Sequence, residues 1–180
     1  TPSDNVGSRR ESDDDVAAEF FGLLEDSVKI RLRSDVPVGS CLSGGMDSSA
    51  ITCIARQFVG PDARYDSFTG RFPGAASDEG QWANIVSQAA GTTAFEVSPT
   101  AARFVDELDD FLWLNELPVD SASQYAQWCV FRLAKDENVT VLLDGQGADE
   151  ILGGDEQYFA NYLLSGKTIG ANTKQEEQQI

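Results

Sequence analysis

Apolar positions recur along this chain in two alternating rhythms. From Val16 to Arg33 the residues Val16, Phe20, Leu23, Leu24, Val28 and Leu32 repeat at helical spacing, with Ser27 the polar intruder, and Asp35-Val36-Pro37 ends the segment. Val36–Leu42 is then a short apolar run closed by Ser-Gly-Gly, which predicts a strand buried on both faces. Asp47–Phe58 reads as a helix stopped near Gly60-Pro61. Tyr65–Phe72 predicts a second strand, turned by Pro73-Gly74. Ser77 is the expected cap of a helix carrying Trp82, Ile85, Val86 and Ala89, with Gly91 at its C-terminal end. Thr93–Val97 predicts the third strand, and a helix over Thr100–Leu114 follows until Leu117-Pro118 breaks it. Ser121 or Ser123 opens a helix to Glu137 that presents Tyr125, Trp128, Cys129, Phe131 and Leu133. Val139–Leu143 predicts the fourth strand, 144–149 a glycine-rich turn, and Glu150–Leu164 a last helix interrupted by Gly153-Gly154.

Strands alternating with helices predict the α/β class: a doubly wound parallel sheet with helices on both faces and right-handed crossovers. Ligands of such sheets bind beyond the carboxyl ends of the strands, where the winding reverses. If strand four returns to lie beside strand one, the turns after those two strands meet at one crevice. The expected organisation is a flexible acidic arm over 1–15, one domain over 16–164 and a polar tail over 165–180.

Charge narrows the function. The net charge is −17, with no basic cluster, so no nucleic-acid partner is expected, and a polyphosphate ligand needs a cation such as magnesium between it and the protein. No apolar run reaches the length of a membrane span and the polar start has no signal-peptide core, so neither a membrane role nor secretion is expected. Cys41, Cys53 and Cys129 are too far apart for a zinc site or a disulfide framework and sit in apolar segments; they read as buried, reduced thiols of a cytoplasmic protein. Trp82, Trp113 and Trp128 fall at helical spacing among apolar residues and read as core. The chain has no histidine, which excludes Ser-His or Cys-His catalysis and His-ligated metals from its own residues.

Candidate chemistry concentrates after the first strand, in Ser43-Gly44-Gly45-Met46-Asp47-Ser48-Ser49. Unpaired N–H groups at a helix start attract anions, glycines let the backbone approach a phosphate, and Ser43, Ser48 and Ser49 add hydroxyl donors. A carboxylate inside an anion site, Asp47, makes chemical sense if it holds a divalent cation. The bland alternative is a helix cap after a tight turn. This is not a Walker loop, because G-x-x-x-x-G-K-[ST] is absent and no lysine lies nearby.

Together with Ser34-Asp35-Val36-Pro37-Val38-Gly39, the loop resembles the pyrophosphate-loop motif of the asparagine synthetase family's synthetase domain, over a stretch running from about Val16 to Leu164. The resemblance implies the adenine-nucleotide alpha-hydrolase type of fold, with ATP and Mg2+ bound. It also implies cleavage of ATP between the α and β phosphates, transfer of AMP to an aspartate-like carboxylate, release of pyrophosphate and attack by ammonia or an amine. Asp144-Gly145-Gln146-Gly147-Ala148-Asp149-Glu150 resembles the family's second signature. By that resemblance Asp47 and Asp149 hold the magnesium, and Leu42, the Ser43–Ser49 loop, Gly70, Asp144 and Gly145 contact the nucleotide. Many members carry Glu where this chain has Gln146, a residue thought to serve amide formation; Gln cannot act as a base but can orient an intermediate. The acceptor carboxylate therefore stays open.

Nothing here matches the Cys-initiated glutaminase half of the family or its downstream lysine, so the expected object is a piece of a longer protein, supplied with ammonia by a glutaminase domain and with a homodimer open as its assembly. Asp78-Glu79 reads as a first-turn complement to a helix dipole, with a crevice-facing role as the alternative. Two rivals to amide synthesis remain: a lactam-forming synthetase using the same adenylation, and a non-catalytic nucleotide-binding or scaffold fragment.

Overall fold

A computed structural model describes residues 12–119 and 121–169. Four parallel strands form one sheet in the order β3-β2-β1-β4: β1 (Val38–Cys41), β2 (Asp66–Gly70), β3 (Thr93–Val97) and β4 (Val141–Leu143). The winding runs outward through β2 and β3 and returns to place β4 against β1, so the reversal falls between β1 and β4, as expected.

Helices cover both faces. On one side, α1 (Asp13–Arg31) and α2 (Met46–Val59) pack Leu24, Val28, Ile51, Ile54 and Ala55 with Val38, Tyr65 and Leu143. On the other, α6 (Ala122–Asp136) packs Val130, Leu133 and Ala134 against Cys41, Phe68, Phe95, Val97 and Leu142. Phe68 is buried so tightly against β1 that a Cβ at Gly39 would stand 3.1 Å from its ring and 2.8 Å from the Asp66 carbonyl, which is why the strand carries a glycine there. Helix α3 (Gly80–Ala90) lies beside α2 on the first side, and α4 (Ala101–Asp106) and α5 (Leu108–Asn115) pack with α6 on the second.

The described chain divides into two compact units, the first ending at Asp144 and the second starting at Gly145, whereas one domain over 16–164 was expected. The second unit holds α7 (Ala148–Leu152) and α8 (Glu156–Ile169), separated at Gly153, whose φ of 71° ends α7; the tail expected from 165 is helical to Ile169, and 170–180 lie outside the described residues.

Several expectations are corrected. The arm expected over 1–15 gives way to helix at Asp13: Ser12 and Asp15 cap one another reciprocally and three acids complement the dipole, while 1–11 lie outside the described residues. Only the C-terminal half of α1 docks; Val16, Phe20, Phe21 and Leu23 are exposed. Ser77 does not cap α3, whose N-cap is Glu79. The helix expected over 100–114 is split at Glu107, whose carboxylate turns inward to accept the Tyr125 hydroxyl at 2.7 Å and pairs with Arg132 at 2.8 Å and Arg103 at 3.1 Å.

Two tryptophans and two thiols are also misassigned by spacing alone. Trp113 is 82% exposed because Phe111, two positions earlier and on the opposite side of α5, takes the core position against Phe104, Tyr125 and Trp128. Trp82 is exposed because the inner stripe of α3 is Gly80, Ala83 and Ser87. Cys53 is exposed and Cys41 half-buried; Cys129 alone of the three is buried. Among the described residues no helix is long and apolar enough to cross a membrane.

Candidate nucleotide site

Strand β1 delivers its chain to the site at Leu42, which is buried and clamped at both ends of its peptide. Its N–H donates to the Phe68 carbonyl at 2.9 Å, and its own carbonyl accepts the Thr69 hydroxyl at 2.7 Å. The loop that follows is closed on itself. The Ser43 N–H donates to Ser48 Oγ at 3.2 Å, the two hydroxyls are 3.0 Å apart, and the Gly45 N–H donates to Ser43 Oγ at 3.1 Å.

Gly44 has φ 94°, a conformation L side chains rarely adopt, and a Cβ there would stand 2.5 Å from the Ala83 backbone nitrogen and 2.7 Å from Trp82 Cβ. The start of α3 is thus the rear wall of the loop. Gly45 is the N-cap of α2 and supplies no side-chain hydrogen bond to the N–H groups of the first turn. Asp47 lies in its first turn, half-buried. Ser49 Oγ is buried and has no hydrogen-bond partner among the described residues, a cost of about 1–3 kcal/mol that a ligand oxygen would remove. An uncapped helix start, a glycine pressed to the wall and an orphaned hydroxyl fit a phosphate group.

Asp144 follows β4, next to the β1 strand that Leu143 pairs with at Ser40. Gln127 on α6 donates to its carboxylate at 2.9 Å. The Cys41 thiol is pushed up, by burial first and then by the Asp144 charge and hydrogen bond, so it stays protonated. Leu42, the Ser43–Ser49 loop and Asp144 are therefore brought together at the carboxyl edge of β1 and β4. Gly70 ends β2, and a Cβ there would meet only Val130 Cγ2, at an ordinary 3.5 Å.

Gly145, Gln146 and Asp149 belong to the second unit. There Gly147, at φ 93°, turns the chain into α7, the Ala148 N–H donates to the Gly145 carbonyl at 3.3 Å, and Gln146 is exposed. The exposed Asp149 carboxylate lies over Gly154, where any Cβ would collide with it.

Sequence reading missed Thr69, Gln127 and the Arg71 cluster. The signal for the first was a polar alternation, Ser67 and Thr69, inside a strand buried at every position but its last. Asp78, offered as a dipole complement, instead pairs with Arg71 at 2.9 Å and accepts the Phe72 N–H at 3.0 Å. These bonds, the Arg71 ones foremost, hold its carboxyl at about 2, and Glu107 is held at about 2 by the Tyr125 hydroxyl first and by Arg132 and Arg103 after it. Both folded values lie below the ordinary 3.8 and 4.5, so the stability these carboxylates contribute is complete above about pH 5 and is lost as pH falls through 4 toward 2. Glu107→Gln is expected to melt below wild type at pH 7 and to approach it as pH falls toward 2; melting curves that stay parallel across that range contradict this.

Comparison with known proteins decides the family. The asparagine synthase family matches residues 19–178. The chain belongs to the asparagine synthase family. It is 35% identical to a putative glutamine-hydrolysing asparagine synthetase of Methanocaldococcus jannaschii, over 79% of this chain and 27% of that protein. Identity to a glutamine-hydrolysing asparagine synthetase of Bacillus subtilis is 34%, over 90% of this chain and 28% of that protein. The chain therefore spans about a quarter of the length of the curated relatives it matches. Its fold is also that of a solved tRNA thiolase from Methanococcus maripaludis, at a TM-score of 0.52 and 15% identity over 87% of this chain and 53% of that one. The parallel sheet with helices on both faces is the α/β fold the sequence predicts.

Proposed function

We propose that this member of the asparagine synthase family binds ATP at the Ser43–Ser49 loop and forms the adenylating part of an amide-forming synthetase. The observation that carries the proposal is the buried Ser49 hydroxyl in the first turn of α2, without a partner among the described residues, after a loop that two hydroxyls and a positive-φ glycine close on itself. Backbone N–H groups at the start of α2 receive phosphate oxygens, with Ser43, Ser48 and Ser49 adding hydroxyl contacts. Leu42 and Gly70 border the adenine side, and Asp144 and Gly145 complete the nucleotide contacts. By the family resemblance Asp47 and Asp149 would hold magnesium, with phosphate oxygens and water completing its shell. When bound, that ion supplies charge neutralisation on the departing pyrophosphate.

The reaction is attack of a carboxylate oxygen on the α-phosphorus, loss of pyrophosphate, and displacement of AMP from the acyl carbon by ammonia or an amine. With no histidine in the chain, its own contribution is positioning and electrostatic stabilisation. Gln146 orients the acyl intermediate by hydrogen bonds. Aspartate is the first acceptor to test, and Gln146 is the reason to extend the test to other carboxylates. In the full-length protein the ammonia comes from a glutaminase domain, and the enzyme works in the cytoplasm.

Mg-ATP at a hundredfold excess over Kd is expected to stabilise the chain by about 2.7 kcal/mol, a rise of roughly 5–10 °C in melting temperature, with AMP and pyrophosphate competing. A melt unmoved by millimolar Mg-ATP on folded protein removes the nucleotide reading.

A further inference from the structure

The end of β2 carries a charged clamp that the nucleotide contacts do not use. Arg71 follows Gly70, and its backbone N–H donates to the Val97 carbonyl at 2.8 Å, which pins it to the end of β3. Its guanidinium is fully engaged between two carboxylates. Nε donates to Asp78 Oδ1 at 3.0 Å and one terminal nitrogen to Asp78 Oδ2 at 2.9 Å, while the other reaches both oxygens of Glu96 at 2.8 Å. The cluster is partly buried, with Arg71 20% and Asp78 13% exposed, so it is screened less than a surface pair. A guanidinium occupied in this way is not available to a phosphate.

What the clamp holds is the start of α3. Asp78 stands two residues before that helix, Asn84 donates to Glu96 Oε1 at 3.2 Å, and the Arg71 guanidinium lies so close over Gly80 that any Cβ there would collide with it. One turn on, the Trp82 and Ala83 backbone is the wall that Gly44 touches. A continuous set of contacts therefore runs from the ends of β2 and β3, through Arg71, to the rear of the phosphate loop.

We propose that Arg71 is a positioning residue which, through Asp78, Glu96 and the start of α3, sets the depth of the Ser43–Ser49 loop and with it the affinity for the ATP phosphates. The proposal rests on the nucleotide reading above. It predicts a graded series. Arg71→Gln removes both charge and fork and weakens Mg-ATP binding about tenfold, the scale of a coupling of this kind. Arg71→Lys keeps the charge but reaches one carboxylate at a time, and rescues part of that loss. AMP, which lacks the β and γ phosphates, binds all three proteins with a much smaller spread.

The measurement is calorimetric titration of the 180-residue chain and its variants with Mg-ATP and with AMP. Arg103→Met, which removes one partner of Glu107, serves as a control that lowers stability and leaves Mg-ATP affinity at the wild-type value. Equal Mg-ATP affinity in wild type, Arg71→Lys and Arg71→Gln overturns the proposal, as does an affinity loss in Arg103→Met that matches its stability loss. If Arg71→Gln does not fold, Glu96→Gln takes its place with the same expected direction. A wild-type chain that binds no Mg-ATP overturns the nucleotide reading itself, a different result from bound wild type with unchanged variants.

Discussion

Gly44→Ala is expected to weaken Mg-ATP binding at least about a hundredfold, since a misplacement of the order of 1 Å at a phosphate site costs that much. Two effects add. The φ of 94° is a conformation that costs an L residue about 1–2 kcal/mol. The new Cβ would also stand 2.5 Å from the Ala83 nitrogen and 2.7 Å from Trp82 Cβ, and the first of these is backbone that cannot rotate away. Either the loop moves forward into the phosphate position or α3 retreats, and a close-packed interior resists both. Gly60→Ala isolates the first effect: its φ is 84° but nothing lies within 4 Å of the added Cβ. It is expected to lower the melting temperature slightly and leave Mg-ATP affinity unchanged. If the two alanine variants bind Mg-ATP alike, the wall behind Gly44 does not shape the site.

The second large effect concerns Asp47 in the full-length protein. Asp47→Asn keeps the volume of the side chain and removes the charge that would face magnesium. Loss of one such contact, worth several kcal/mol of charge stabilisation, lowers carboxylate-dependent exchange of labelled pyrophosphate into ATP by about a hundredfold or more. The melting temperature should hardly change, because the side chain is half-buried in the first turn of α2 and no core cluster includes it. Asp149→Asn is expected to act in the same direction. Wild-type products should be AMP and pyrophosphate. Recovery of ADP and inorganic phosphate would rule out adenylation, and undiminished exchange in both asparagine variants would remove the two-aspartate assignment.

The acid-bearing loop and the alternation of strands and helices were readable from residues because both are local in origin. A run such as Thr93–Val97, bounded by Gly91 and Pro99, declares a strand by its own composition, and the strand observed has those bounds. Ser43-Gly44-Gly45 after a buried strand declares a turn into a helix for the same reason, and the family resemblance was carried by such short stretches. Strand order was inferred from the position of the two glycine-rich turns, and the sheet follows it.

Other features depended on neighbours distant in sequence. Helical spacing says that Phe111 and Trp113 share a helix with an inner side, but which of them turns inward is decided by Phe104 and Tyr125 across the gap. Ser12 and Asp15 read as disordered by composition, yet their reciprocal cap starts α1 at Asp13. Glu107 broke a helix whose pattern was continuous, because Tyr125, Arg103 and Arg132 together hold its carboxylate. Sequence alone thus determined most of the elements, the class of fold and the place of the glycine-rich loop, since each is encoded by residues within one turn or one strand of each other. Tertiary structure alone decided which hydroxyl is left orphaned, why Gly44 admits no side chain, and that Arg71 is committed to Asp78 and Glu96. The last two are distances between groups 7 to 39 residues apart, and only packing sets such distances.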